Sequence, residues 1–210
     1  MPEPRFGLCL PIFASPGRAL FRTPGYQHLH AGTTMALGYL ADDLGYDSLW
    51  VADHLMLGAD QAILEGWTVL AGLAARTRRT RLGMLHQAHY LRHPSVVAKM
   101  VATLDQISGG RVVYFLDAGR NAREQLAYGL PRPEDPQIVI EQVEEGLRLC
   151  QELWAAERPI DFDGRWYRLA QAICTPAPAQ RPHPPVWFGD GDAAITALAA
   201  RRGQGWNSTP

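Results

Sequence analysis

Residues 47–57, DSLWVADHLML, set an apolar run directly against an acid and an imidazole. The middle of the stretch, 48–52, is too short and too uniformly apolar for a surface helix. It reads as a buried strand. Asp53 and His54 then stand where the chain leaves a sheet at a strand's carboxyl end. In parallel α/β folds that edge carries the ligand site. An imidazole there can exchange protons near neutral pH or bond a ligand oxygen, and a neighbouring carboxylate can orient it. The plainer alternative is an Asp N-cap followed by a partly buried histidine.

Strand and helix patterns alternate outward from this stretch. Residues 5–12 read as a first strand. AGTTMALGYLADDL, 31–44, spaces its apolar side chains as a helix does, and Gly45 closes it. A second helix is predicted over 62–76 and a third strand over 81–86. His93-Pro94 opens a helix, with proline suited to its first turn; it runs to 108 and ends at Gly109-Gly110. A fourth strand covers 111–117 and a long amphipathic helix 137–155. The proline-rich segment 157–184 carries a hairpin, FDGRWYRL, predicted to turn at Asp163-Gly164. A fifth strand, 185–189, and a helix, 193–202, follow, and Gly205-Trp206 opens a sixth strand. This order argues for parallel strands with right-handed crossovers, either an open sheet or a (β/α)₈ barrel. A complete barrel usually takes ~250 residues, and this chain has 210.

Composition narrows the function classes. The chain is 47% hydrophobic and 20% charged with a formal net charge of −1, so it has no basic excess for nucleic acid. The arginines at 76–81 read as a solvated turn. Cys9, Cys150 and Cys174 are odd in number and far apart, which fits neither a disulfide framework nor a zinc spacing and favours a reducing cytoplasm. No apolar stretch reaches the ~20 residues of a membrane span, and no signal peptide precedes the first strand.

Three further stretches carry chemistry. His86, His89 and His93 could suggest zinc, but they straddle a strand end, a loop and a helix start, with no carboxylate or cysteine nearby in sequence. His86 is the pocket-lining candidate among them. In FLDAGRNAREQ, 115–125, small residues end a strand and would admit a flat ligand. Arg120 there either pairs with an anion or caps a turn with Arg123, and Asp117 is a polar site group or an arginine partner. FGDGDAAITAL, 188–198, matches the glycine pattern of a phosphate-binding turn, although Asp190 and Asp192 oppose a pyrophosphate.

Four stretches together resemble the bacterial luciferase-like flavin-dependent oxidoreductases. They are ALGYLADDLGYDSLWVADHL, TRLGMLHQAHYLRHPSVVAKMVATLDQISGGR, EEGLRLCQELW with FDGRWYRL, and PPVWFGDGDAAITALAARRGQGWN. The resemblance covers nearly the whole chain in the family's order. It implies a (β/α)₈ TIM-barrel-like fold, incomplete at five to six units, in a single domain over 1–210. It also implies FMN or the deazaflavin coenzyme F-420 at the strands' carboxyl ends and a small-molecule substrate. By resemblance His54 is the catalytic acid or base and Asp53 lies beside the cofactor ring. Leu85 and His86 form a non-proline cis peptide backing that ring. Ala118, Gly119 and Arg120 line the pocket, and Gly189, Asp190 and Gly191 approach the cofactor's side chain or phosphate.

The chain departs from the family pattern in three places. Ala122 stands where deazaflavin dehydrogenases place an acid. Two aspartates occupy the loop after the fifth strand. The last two to three βα units are absent, which leaves open strand edges that a homodimer or a partner subunit would cover. The alternative to an enzyme is a non-catalytic flavin-binding or subunit-interaction protein on a cut-down barrel.

Overall fold

The computed structural model describes residues 4–14, 28–119, 121–130, 132–189 and 193–207. Six parallel strands form one curled sheet in the order β1 (Gly7–Cys9), β2 (Ser48–Val51), β3 (Arg81–Met84), β5 (Val112–Asp117), β8 (Val186–Gly189) and β9 (Gly205–Asn207). A two-residue strand, β4 (Gln87–Ala88), adds to β5 beyond the end of β3. The crossovers place α1 (Ala31–Leu44), α2 (Gly66–Arg76), α3 (Pro94–Ser108), α5 (Pro136–Ala155) and α6 (Ala193–Arg202) along the sheet. The short α4 (Ala122–Ala127) follows β5 directly. Apart from β4 and α4, which the sequence did not announce, this is the βα order expected from it, curled into an incomplete barrel.

Period-2 alternation divides each strand between two environments. Leu49, Val51, Leu82, Met84, Val112, Tyr114, Leu116, Val186 and Phe188 pack with the helices in the main core. Trp50, Val113 and Phe115 form a separate buried group on the other, concave face, with Cys9, Leu85 and Trp187 against it.

Several boundaries differ from the sequence reading for local reasons. β1 is three residues long, not eight, because Pro11 has no N–H to give to a ladder. β3 stops at Met84, just before the cis Leu85–His86 peptide. α2 starts four residues late: Glu65 caps it by accepting from the N–H groups of Trp67 and Thr68. The hairpin of β6 (Ile160–Asp163) and β7 (Arg168–Ala172) does not turn tightly at Asp163-Gly164. Asp163 pairs with Arg168, so four residues make the bend. The Glu145 carboxylate on α5 fixes that wider turn by accepting from the N–H groups of Arg165, Trp166 and Tyr167.

The arginine-bearing turn before β3 is anchored rather than merely solvated. Asp42, buried on α1, accepts from the N–H groups of Arg78, Arg79 and Thr80 and from the Thr80 hydroxyl. Burial alone would raise its carboxyl, but these donors outweigh it and lower the pKa to about 2. The stabilisation is therefore present above the ordinary carboxyl pKa and disappears as pH falls toward about 2. Asp42→Asn should cost about 2 kcal/mol at neutral pH and little in strong acid. Urea unfolding of both proteins across that range checks this, and a pH-independent difference would contradict it.

Candidate functional site

A cavity of about 1130 Å³ occupies the concave face. Residues from β1, β2, β3, β5, β8 and β9 all reach it, so both outer strands border it. Two tryptophans from different units fill part of this space, with centroids 5.5 Å apart. They fit because their neighbours are glycines. A Cβ at Gly83 would come 2.4 Å from the Trp50 ring, and one at Gly205 would come 2.5 Å from the Trp187 indole nitrogen. Large rings over small residues are the usual way that a barrel interior is filled. The rest of the wall is apolar at Val113, Phe115 and Leu85, with His54 and His86 as polar groups at the carboxyl ends of the strands and Arg5, Asp47, Arg79 and Arg81 at their amino ends.

No helix follows Asp53-His54, so the N-cap alternative fails. The two side chains part company. Asp53 turns inward, with its side chain 1% exposed. Both its carboxylate oxygens accept from Arg92 Nη1 at 2.9 Å, and Oδ2 also accepts from the Ala88 N–H. Arg92 Nη2 continues to Glu65 at 2.7 Å. Burial pushes the Asp53 carboxyl above its ordinary value, and Arg92 and the Ala88 N–H pull it back. Asp53 is absent from the described cavity wall. Its carboxylate works as an anchor beneath the site.

His54 lies on the cavity wall, and the carboxylate beside it is Glu124, which the sequence reading passed over. Asn121 caps α4 and accepts from the Glu124 N–H, the start of a capping-box pattern. The Glu124 side chain does not complete that box. Oε1 accepts from the N–H groups of Leu55 at 2.5 Å and Met56 at 2.9 Å, and Oε2 lies 3.1 Å from His54 Nδ1. Glu124 is itself 2% exposed. The Tyr128 hydroxyl donates to the Leu55 carbonyl, so α4 and the turn behind it hold the loop after β2 from one side.

The strand-three corner follows the expectation raised by the resemblance, since Leu85–His86 is a cis peptide. His86 packs edge-on against Phe115, 4.4 Å between centroids, with Nδ1 3.7 Å from Asp117 Oδ2. Asp117 also accepts from the Ala118 N–H at 2.6 Å. Gly189 comes close to the same imidazole: a Cβ there would sit 2.3 Å from His86 Nε2. Gly119 takes a positive φ of 79° beside Ala88. Of the expected pocket residues, Leu85 and His86 line the cavity and Gly189 adjoins His86. Ala118 packs instead into the helix-side core, and Gly119 lies beside Ala88, away from the described wall. Arg120, Asp190 and Gly191 lie outside the described residues.

The other two histidines of the 86–93 run have structural duties. His93 caps α3. His89 Nε2 meets the Tyr167 hydroxyl at 2.6 Å, tying the hairpin to the body, and burial followed by His93 lowers its pKa to about 4. Among the described residues no group of three or more His, Cys, Asp or Glu side chains is placed to hold a metal. No helix among them is long and apolar enough to cross a membrane.

This fold and its loaded carboxyl edge define the class. The luciferase-like monooxygenase family model matches residues 5–210, and the chain belongs to that family. An F420-dependent glucose-6-phosphate dehydrogenase of Microbacterium testaceum is 33% identical to it over 82% of this chain and 51% of its own. Among solved structures, monooxygenase RslO1 from Streptomyces bottropensis is 27% identical with a TM-score of 0.76, covering 96% of this chain and 58% of its own. An F420-dependent secondary alcohol dehydrogenase, in complex with an F420-acetone adduct, shares the fold at 21% identity and a TM-score of 0.78, over 97% and 57%. The chain spans about half the length of the curated relatives it matches.

Proposed function

We propose that this chain carries the cofactor-facing part of an oxidoreductase that uses F420 or FMN on a small organic substrate, with His54 exchanging the proton. The observation that carries the reading is the His54 imidazole on the wall of the concave-face cavity, fixed through Nδ1 by a buried carboxylate. At the carboxyl end of the strands the cleft is walled by apolar side chains and two imidazoles, which suits a small flat ligand. The residues present fit a flavin-like ring: Leu85, Phe115, Val113 and Trp187 offer apolar contact, and His54 and His86 offer polar contact at one end. When bound, the cofactor supplies the redox chemistry. The protein orients it and handles protons. The F420-dependent relative at one third identity favours the deazaflavin over FMN.

The direct test is a titration with F420 and then FMN, following emission from the chain's six tryptophans. Trp50 and Trp187 border the cavity, so an occupant should quench them saturably, F420 more tightly than FMN. No saturable change with either would overturn the reading for this chain.

A further inference from the structure

We infer that Glu124 is the positioning residue of this site and that it selects the tautomer of His54. The carboxylate is fully engaged: Oε1 takes two backbone N–H bonds from the loop, which leaves Oε2 for His54 Nδ1. A carboxylate can only accept here, so the shared proton sits on Nδ1 of the neutral ring. Nε2 is then left with its lone pair, on the opposite side of an imidazole that lines the cavity. The resting site therefore presents a proton acceptor, the form that receives a hydrogen bond or proton from a hydroxyl. Asp53, adjacent in sequence, cannot do this because both its oxygens are held by Arg92.

The arrangement couples two jobs in one side chain, one for each oxygen, and the conservative substitution separates them. In Glu124→Gln the amide oxygen can keep both loop N–H bonds while the amide nitrogen faces Nδ1 as a donor. The loop is retained and the ring must move its proton to Nε2. Glu124→Ala removes both jobs and leaves two N–H groups without an acceptor.

The experiment is long-range proton–nitrogen correlation NMR of the imidazoles in the full chain, without cofactor, at a pH above the ordinary imidazole range. The His54 signals are assigned by their loss in His54→Asn. The wild type should show the Nδ1–H form and Glu124→Gln the Nε2–H form. An Nε2–H wild type, or the same tautomer in both proteins, would overturn the assignment. The wild-type measurement alone decides even if the glutamine variant does not fold. The consequence for turnover rests on the role given to His54 above. On that reading, Glu124→Gln loses at least about tenfold in rate while cofactor affinity is kept. A tautomer switch with turnover unchanged would uphold Glu124 as the selector and remove His54 from proton transfer.

Discussion

His54→Ala should lower turnover by roughly 10²- to 10⁴-fold, the range for losing a positioned general acid or base, and leave cofactor affinity within a few-fold. The asymmetry follows from the site's division of labour. Apolar contact comes from Leu85, Val113, Phe115 and Trp187, none of which leans on the imidazole. His54 is tied instead to Glu124, whose other oxygen keeps the loop in place through Leu55 and Met56. Removing the ring should therefore leave the loop standing. Steady-state rates with a turnover-competent hydroxyl substrate, set beside the tryptophan titration, separate the two quantities. Equal turnover in the variant would sink the proton role, and a parallel loss of affinity would make His54 a binding residue instead.

Arg92→Met should produce the largest loss of stability, about 3–5 kcal/mol, because it strands a carboxylate that stays buried. Asp53 would keep one donor, the Ala88 N–H, in place of the Nη1 contact to both its oxygens. The pH dependence carries a sign. Burial already raises the Asp53 carboxyl, and Arg92 is the main opposing influence. Without it the folded-state pKa moves further up. A group raised in this way favours the fold while protonated and ceases to do so as pH climbs through the raised value. The deficit of Arg92→Met should thus be small near pH ~4 and grow as pH rises toward ~7. Chemical denaturation at both values tests it; a deficit that grew toward acid would contradict the account.

Much of the fold was readable because its signals are local. Gly45 and Gly109, at φ 86° and 68°, end their helices where the sequence placed them. Pro94 starts α3 and the strand–helix alternation survives intact. Apart from element ends set locally, as at Pro11 and Glu65, the misreadings involve partners distant in sequence. Glu145 widens a turn twenty residues away, and Asp42 organises a turn 36 to 38 residues downstream. Glu124 lies 70 residues from His54. Its one local trace was the Asn121 cap, which announces a helix start and says nothing of where the N3 carboxylate will point. Adjacency suggested a partnership between Asp53 and His54, but in the loop past β2 the two side chains go to different distant partners, Arg92 and Glu124.

The loop after β2 owes its place to side chains lent by other units: Arg92 just ahead of α3 and Glu124 on α4. What it offers Glu124 is backbone, the N–H groups of Leu55 and Met56. Any residue except proline supplies the same N–H. Positions 55 and 56 are therefore free to change their side chains without releasing His54. A lineage could change the side chains that this segment presents while the contact between His54 and Glu124 is inherited unchanged.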